Sequence, residues 1–438
     1  MHEPSDPAAE VVGLTTDLIR IDTSNFGPDG SKGEREAAEY VAAKLDEVGV
    51  DCQLYESAPR RTTLVAHWEP DGCDASIPPL LVHMHTDVVP AVAADWAVDP
   101  FAGEVIDGYV WGRGAVDMKD MDAMVLSVIR DRVRTGRPPR RPLRLVFTAD
   151  EEAGGVQGSR WLAENHPDTV ADCPEAIGEV GGFSLTIRDD LRLYPIQTAE
   201  KGIAWLNLIA EGRAGHGSMR EDDNAVTHLA RAVARVGEHK WPVRIRPAQQ
   251  EFLDAVEEAL GVPVNADSAE ETLKRLGAIS RMIGATMSNT ANPSMLSAGY
   301  KVNVVPGHAS AGIDGRFIPG CRDEFFATID ELIGDRVRRE TLVEDVAVET
   351  EFAGALVDAM SACLVAEDAA ARPVPYMVSA GTDAKAWSKL GVRCFGFSPL
   401  RLPPDLDFTA LFHGVDERVP VASLEFGCRV LDRFFDLA

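Results

Sequence analysis

The sequence has little cysteine and never uses it in pairs. Seven cysteines (Cys52, Cys73, Cys173, Cys321, Cys363, Cys394, Cys428) are scattered over 438 residues, odd in number and never in CxxC spacing. That excludes a zinc ribbon and a thioredoxin-type motif, argues against a disulfide framework, and points to a reducing cytoplasm. No apolar run reaches the about 18 residues that would suggest a membrane span. The opening MHEPSDPAAE lacks the basic start and apolar core of a signal peptide. Positive charge is also scarce: 43 Lys+Arg against 70 Asp+Glu give a net charge of −27. Such a field repels nucleic acid and anionic membrane and suits a chain that gathers cations at carboxylate clusters. Several catalytic signatures are missing as well. There is no HExxH, which excludes a zincin, and GHGSM around Ser218 is not a GxSxG elbow. GRGAVD approaches the dinucleotide fingerprint, but Asp117 stands at its third glycine and no acidic ribose partner follows. No internal repeat or low-complexity segment occurs.

What is present is a chain long enough for two to three domains. EVVGLTTDLIRI and EREAAEYVAAKLDEVGV have helical apolar spacing, the second stopping at Gly49. TTLVAHW, PPLLVHMHTDVVP and PLRLVFTAD read as strands of a buried sheet, and MKDMDAMVLSVIRDRV and GSRWLAENH as helices. Strands alternating with helices imply an α/β catalytic domain of three layers around a mixed sheet. From about residue 199 to 352 the order becomes β-α-β-β-α-β: KGIAWLNLIAEGRA, NAVTHLARAVARVGEH, SMLSAGYKVNVVP, HASAGIDGRFIP, CRDEFFATIDELIGDRV and LVEDVAVETEF. That is the split βαβ order of a ferredoxin-like α+β domain, here inserted in the first and carrying an extra segment at about 240–290. The catalytic domain then comprises 1–198 and 353–438.

Five short blocks carry chemistry. In HMHTDVVP, His85 and Asp87 stand two apart at a strand end, so they share a face, and Asp87 can orient the imidazole. His83, on that face too, reads as a packed, hydrogen-bonded core histidine. In WGRGAVDMKD, Asp117 sits between two glycines and a helix, at a strand-to-helix junction. In TADEEAGG, Asp150, Glu151 and Glu152 follow a buried strand; neighbouring carboxylates repel, and a cation beside them would explain their company. Glu179 in IGEVGGF and His413 in LFHGVDERVP complete the set. Imidazole and carboxylate ligands suit zinc, and an aspartate can bridge two metals. A run of arginines (Arg130, Arg132, Arg134, Arg137, Arg140, Arg141, Arg144) reads as a solvated helix end and loop.

This order of motifs resembles the metallopeptidase and amidohydrolase family that includes aminoacylase, acetylornithine deacetylase, succinyl-diaminopimelate desuccinylase and glutamate carboxypeptidase. HxD, the GRGAxDMK block, the EE pair, GHGS, NVxP and the late histidine all occur in the family's order, over nearly the whole chain. The resemblance implies two Zn2+ ions, with Co2+ or Mn2+ as substitutes. His85, Asp117 and Glu179 would hold one, and Asp117, Glu152 and His413 the other, with Asp117 bridging. It implies Glu151 as general base and Asp87 as the residue orienting His85. It also implies substrate contacts from His216 (in AGHGSM, reaching a partner subunit's site), Asn303, Arg316, and the loop of Gly381, Thr382 and Asp383. One departure is Val180 in GEVGGF, where many relatives carry a small residue. The expected activity is hydrolysis of an amide bond beside a free carboxylate, in an N-acyl amino acid or small peptide. The alternatives are a dipeptidase or aminopeptidase-like exopeptidase, and a non-catalytic binding protein on the same fold. The expected partners are a small-molecule or short-peptide substrate and a second copy of the chain, through an inserted lid and dimerisation domain.

Overall fold

The computed structural model describes residues 6–27, 30–261 and 284–438. A large mixed sheet runs in the order Cys52–Ala58, Arg61–Trp68, Leu143–Thr148, Leu80–His85, Glu175–Gly178, Arg393–Gly396, Leu191–Glu200, Val348–Glu349, with Leu185–Arg188 and Ala371–Val378 also paired to Leu191–Glu200. Its centre is parallel: Leu80–His85 pairs in parallel with both neighbours, and Arg393–Gly396 with Glu175–Gly178. The runs LLVHMH and LRLVFT are buried at every position, as strands covered on both faces must be. Alternate residues go to opposite layers. Leu64, Ala66, Val82, Met84, Leu145 and Phe147 meet a helical layer made of Val11–Arg20, Arg35–Asp46, Lys119–Thr135, Ala355–Glu367 and Val421–Leu437. Val65, Leu81, Val146 and Ala176 face the other way, against Ser159–Asn165 and Ala384–Ser388. Because the central strands are parallel, His85, Thr148 and Gly178 end at one edge, where α/β sheets build their sites.

A second, four-stranded antiparallel sheet has the order Thr290–Ala298, His308–Phe317, Gly202–Glu211, Val337–Asp345. Helices Ala225–Glu238 and Arg322–Ile333 cover one face through Leu229, Ala232, Val236, Phe325 and Ile329. The first of these is capped by Asn224, whose side chain accepts the Val226 and Thr227 N–H groups. The stretch SMLSAGYKVNVVP is not one strand. Gly299, at φ +67°, ends Thr290–Ala298, and after a turn Val304–Val305 pairs with Gly215–His216 in a separate ribbon. Within the extra segment, Pro247–Leu260 is a helix that packs on the large sheet, against Leu193, Val374 and Tyr376. Residues 262–283 of that segment lie outside the described residues. Among the described residues, no helix is long and apolar enough to cross a membrane.

The arginine run is only partly solvated: Arg134 and Arg140 are exposed, but Arg130, Arg132, Arg141 and Arg144 are buried. Arg130 binds Glu10 and Glu47, Arg132 binds Asp432 and Asp436, Arg137 binds Asp131 and Asp432, Arg141 binds Glu175, and Arg144 binds Asp172. Apart from Asp131, its acids come from other segments, so the local sequence could not show them. The pairs tie helix Lys119–Thr135 to the chain's early helices and to Val421–Leu437.

A further ion pair gives a pH prediction. Arg192 and the Tyr194 hydroxyl both donate to Asp368, whose side chain is 2% exposed. Burial raises its carboxyl, but these hydrogen bonds win and bring it from 3.8 down to about 2. A depressed carboxyl stabilises the fold above its unfolded pKa, and that contribution disappears as pH falls through the folded value. Asp368→Asn should therefore lower the urea midpoint at neutral pH, and the gap to the parent should close as pH falls from about 4 toward 2.

Candidate metal centre

The loops that leave the carboxyl edge of the large sheet bring six expected residues together. His85 ends its strand. Its Nδ1 donates to the Asp87 carbonyl at 3.0 Å, and its Nε2 lies 3.2 Å from Asp117 Oδ1 and 3.4 Å from Glu179 Oε2. On the other side, His413 Nε2 lies 3.1 Å from Asp117 Oδ2 and 3.0 Å from Glu152 Oε2. His85, Asp117 and Glu179 thus form one group able to hold a metal ion, and Asp117, Glu152 and His413 a second. Glu151 Oε2 stands 3.9 Å from His85 Nε2, beside the first group.

Asp87 does more than its spacing suggests. Its carboxylate lies 3.6 Å from His85 Nδ1, farther than its own carbonyl. The carboxylate instead accepts the N–H groups of Glu151 and Glu152, both at 3.1 Å, and the Asn25 amide at 2.8 Å. Asp87 therefore fixes the turn that presents both glutamates, while its backbone orients the histidine. Asn25 also reaches Asp150 at 3.2 Å and accepts from Arg61, joining the early Ser/Asn/Gly loop to the site. Three non-glycine residues at or beside the cluster have left-handed backbones: Asp150 (φ +64°), Val180 (φ +60°) and His413 (φ +57°). For a β-branched valine that conformation is strained, and such strain gathers where side-chain placement matters.

The electrostatics suit cations. Burial, then the Glu179 charge, raises the Glu151 carboxyl, and burial brings Glu179 itself up to about 7. Hydrogen bonds to Asp117 and Glu152 raise His413 to about 10. Two buried and two half-buried carboxylates around two imidazoles are a set that divalent ions would compensate, and nitrogen with carboxylate oxygen is a zinc-type donor set. His83, by contrast, packs between Gly178 and Trp387, and burial brings it down to about 3, so it is neutral. A Cβ at Gly178 would sit 2.2 Å from the His83 ring, which explains that glycine. The expected hydrogen bond is missing at Nε2, which has no partner among the described residues because apolar contacts and Gly178 surround the ring.

Sequence reading missed the pair that joins two of the loops. Arg113 and Glu417 are both buried and bonded to each other at 2.6 Å. Glu417 also accepts the N–H groups of Gly114, Val116 and Asp117, while Arg113 donates to the Gly414 carbonyl. Both residues lie inside blocks already singled out, WGRGAVD and LFHGVDERVP, so the signal was a charged pair flanking Asp117 and His413.

A cavity of about 480 Å3 opens on the cluster and is bounded on its far side by the four-stranded sheet. Arg316 and the Gly381–Thr382 loop line it. Thr382, however, gives both its hydroxyl and its N–H to Glu200, so its polar groups are already used. Asp383 is buried and held by the hydroxyls of Thr148 and Ser159. A Cβ at Gly381 would meet Lys385 at 2.5 Å, so that loop passes close against the lysine. His216 and Asn303 do not line the cavity; they are exposed on and beside the two-stranded ribbon. His216 Nδ1 accepts from the Ser218 hydroxyl (2.9 Å) and N–H (3.3 Å), which leaves Nε2 as the donor.

Residues 81–436 match Peptidase family M20/M25/M40. The chain belongs to this family. Aminoacylase-1 of Sus scrofa is 27% identical over 426 residues, covering 93% of this chain and 90% of that one. In structure, an M20 family metallo-carboxypeptidase from Sulfolobus solfataricus superposes with a TM-score of 0.74 at 16% identity, over 98% of this chain and 99% of the other. A di-peptidase from Saccharomyces cerevisiae gives 0.71 at 13% identity, over 97% and 95%. This M20 chain is accordingly an enzyme, a metal-dependent hydrolase of the peptidase and amidohydrolase class.

Proposed function

We propose that this M20 enzyme uses two zinc ions to hydrolyse the amide or peptide bond of an N-acyl amino acid or small peptide bearing a free carboxylate. The observation that carries this reading is Asp117, whose two oxygens each face a different imidazole, at 3.2 and 3.1 Å. His85, Asp117 and Glu179 would hold one ion and Asp117, Glu152 and His413 the other; Co2+ or Mn2+ would serve in their place. When bound, such a pair polarises a carbonyl and lowers the pKa of an attacking water. Glu151 takes the proton from that water and passes it to the leaving nitrogen. Asp87 keeps Glu151 in place through the N–H group it accepts. Arg316 binds the substrate carboxylate, and the Gly381–Thr382 backbone lines its path.

The stretch 199–352 acts in this reading as an inserted lid and dimerisation domain between the two parts of the catalytic domain, 1–198 and 353–438. Its edge strand Thr290–Ala298 and the turn after it expose Met295, Leu296, Tyr300 and Val302, an apolar edge suited to a second copy. In that dimer the Nε2 donor of His216, with Asn303 beside it, serves the partner's oxyanion. Sedimentation should give twice the 47.3 kDa chain mass, and a monomer that is fully active would refute the shared site.

The deciding experiment is amine release from a panel of N-acyl amino acids and dipeptides. Chelation should abolish turnover, and zinc or cobalt should restore it. Turnover of unblocked dipeptides alone would identify a dipeptidase instead, and metal-independent turnover would refute the centre.

A further inference from the structure

The cavity wall is mainly apolar, formed in part by Val180, Phe183, Ile203, Trp205, Val343 and Tyr376. Among the described residues, three arginine and lysine side chains reach it: Arg160, Arg316 and Lys385. Each already has a carboxylate. Arg160 gives one N–H to Asp345 at 2.7 Å, and that buried aspartate also meets Lys389 at 2.8 Å. Lys385 places its ammonium against the Lys201 and Val346 carbonyls and Glu200, at 2.7, 2.8 and 3.2 Å, which uses all three of its donors. Arg316 is held along one edge. Its Nε and Nη2 meet Asp314 Oδ1 and Oδ2 at 2.7 and 3.3 Å, the two residues being two apart on one face of strand His308–Phe317. A guanidinium has five N–H donors, so one edge is held and the other remains for a ligand.

We propose that the site selects substrates with a single carboxylate and a bulky apolar remainder, and that Asp314 enforces this by holding one edge of Arg316 and offsetting its charge. One substrate carboxylate can take the remaining edge of Arg316. A second would enter a mainly apolar wall whose other cations, Arg160 and Lys385, already face buried carboxylates, and a buried charge without a partner of its own is costly. Asp314 acts through Arg316 and is therefore a positioning residue. The inference rests on the reading that Arg316 receives the substrate carboxylate.

The test compares N-acyl leucine and N-acyl phenylalanine with N-acyl glutamate and N-acyl aspartate, the acyl group held constant. The apolar substrates should have kcat/KM at least about 100-fold higher. Asp314→Asn should raise the relative kcat/KM of the acidic substrates about tenfold, through KM rather than kcat. Equal turnover of acidic and apolar substrates, or a ratio unmoved by Asp314→Asn, would overturn the proposal. Calorimetric titration of the metal-loaded protein with N-acyl leucine and N-acyl glutamate gives an independent arm. If nothing on the panel is hydrolysed, the proposed function fails, while preferential binding of the leucine compound still supports the selectivity and equal binding overturns it.

Discussion

Glu151→Gln is expected to lower kcat by about 100- to 10,000-fold while leaving KM and bound metal close to those of the parent. The two metal-holding groups do not include Glu151, so the amide should not empty them. Its backbone N–H still reaches Asp87, so the turn keeps its shape. What the glutamine loses is the proton-accepting oxygen, and its loss should reach kcat directly. Stopped turnover assays with metal analysis on the same sample check both halves. Full turnover in this variant would remove Glu151 from the mechanism, and loss of metal would make it a ligand instead.

Glu417→Ala should have the second large effect, and on stability first. It leaves the Arg113 guanidinium buried without its carboxylate and removes the acceptor for three N–H groups. Breaking a buried pair from one side costs about 3–5 kcal/mol. Because the same carboxylate holds the Asp117 backbone and its partner Arg113 holds the His413 turn, metal affinity should fall as well, by about 10- to 100-fold. Calorimetric melting and competitive chelator titration measure the two separately. Replacing both residues with apolar groups of similar volume should recover part of the stability and none of the metal affinity. An unchanged metal affinity in Glu417→Ala would mean the loops hold their own geometry.

The cluster residues were legible because each announces itself locally. His85 ends a buried apolar run, Glu151 and Glu152 follow another, and Asp117 and Glu179 stand against glycines. Parallel strands bring such ends to a common edge, so short motifs far apart in sequence converge. The alternation of strands and helices was legible for the same reason, since burial on one face or two leaves a period behind. What stayed hidden depends on partners far along the chain. Arg113 and Glu417 are 304 residues apart, and nothing local tells a paired arginine from a solvated one. Arg132 looked like a surface charge, yet it is buried against acids of the last helix. The break at Gly299 was missed because flanking apolar residues continue a strand-like pattern across it. Thr382 lines the cavity, but that its hydroxyl goes to Glu200 could not be read, because Glu200 lies outside any motif.

The pairs between helix Lys119–Thr135 and the helix Val421–Leu437 also set an order in time. A ribosome delivers His85, Asp117, Glu152 and Glu179 long before His413, Glu417, Asp432 and Asp436. Until that last stretch emerges, one of the two groups able to hold a metal ion lacks its histidine, and Arg113 and Arg132 lack their acids. Assembly of the centre is coupled to synthesis of residues 413–436, and a chain released before them would lack the residues that close it.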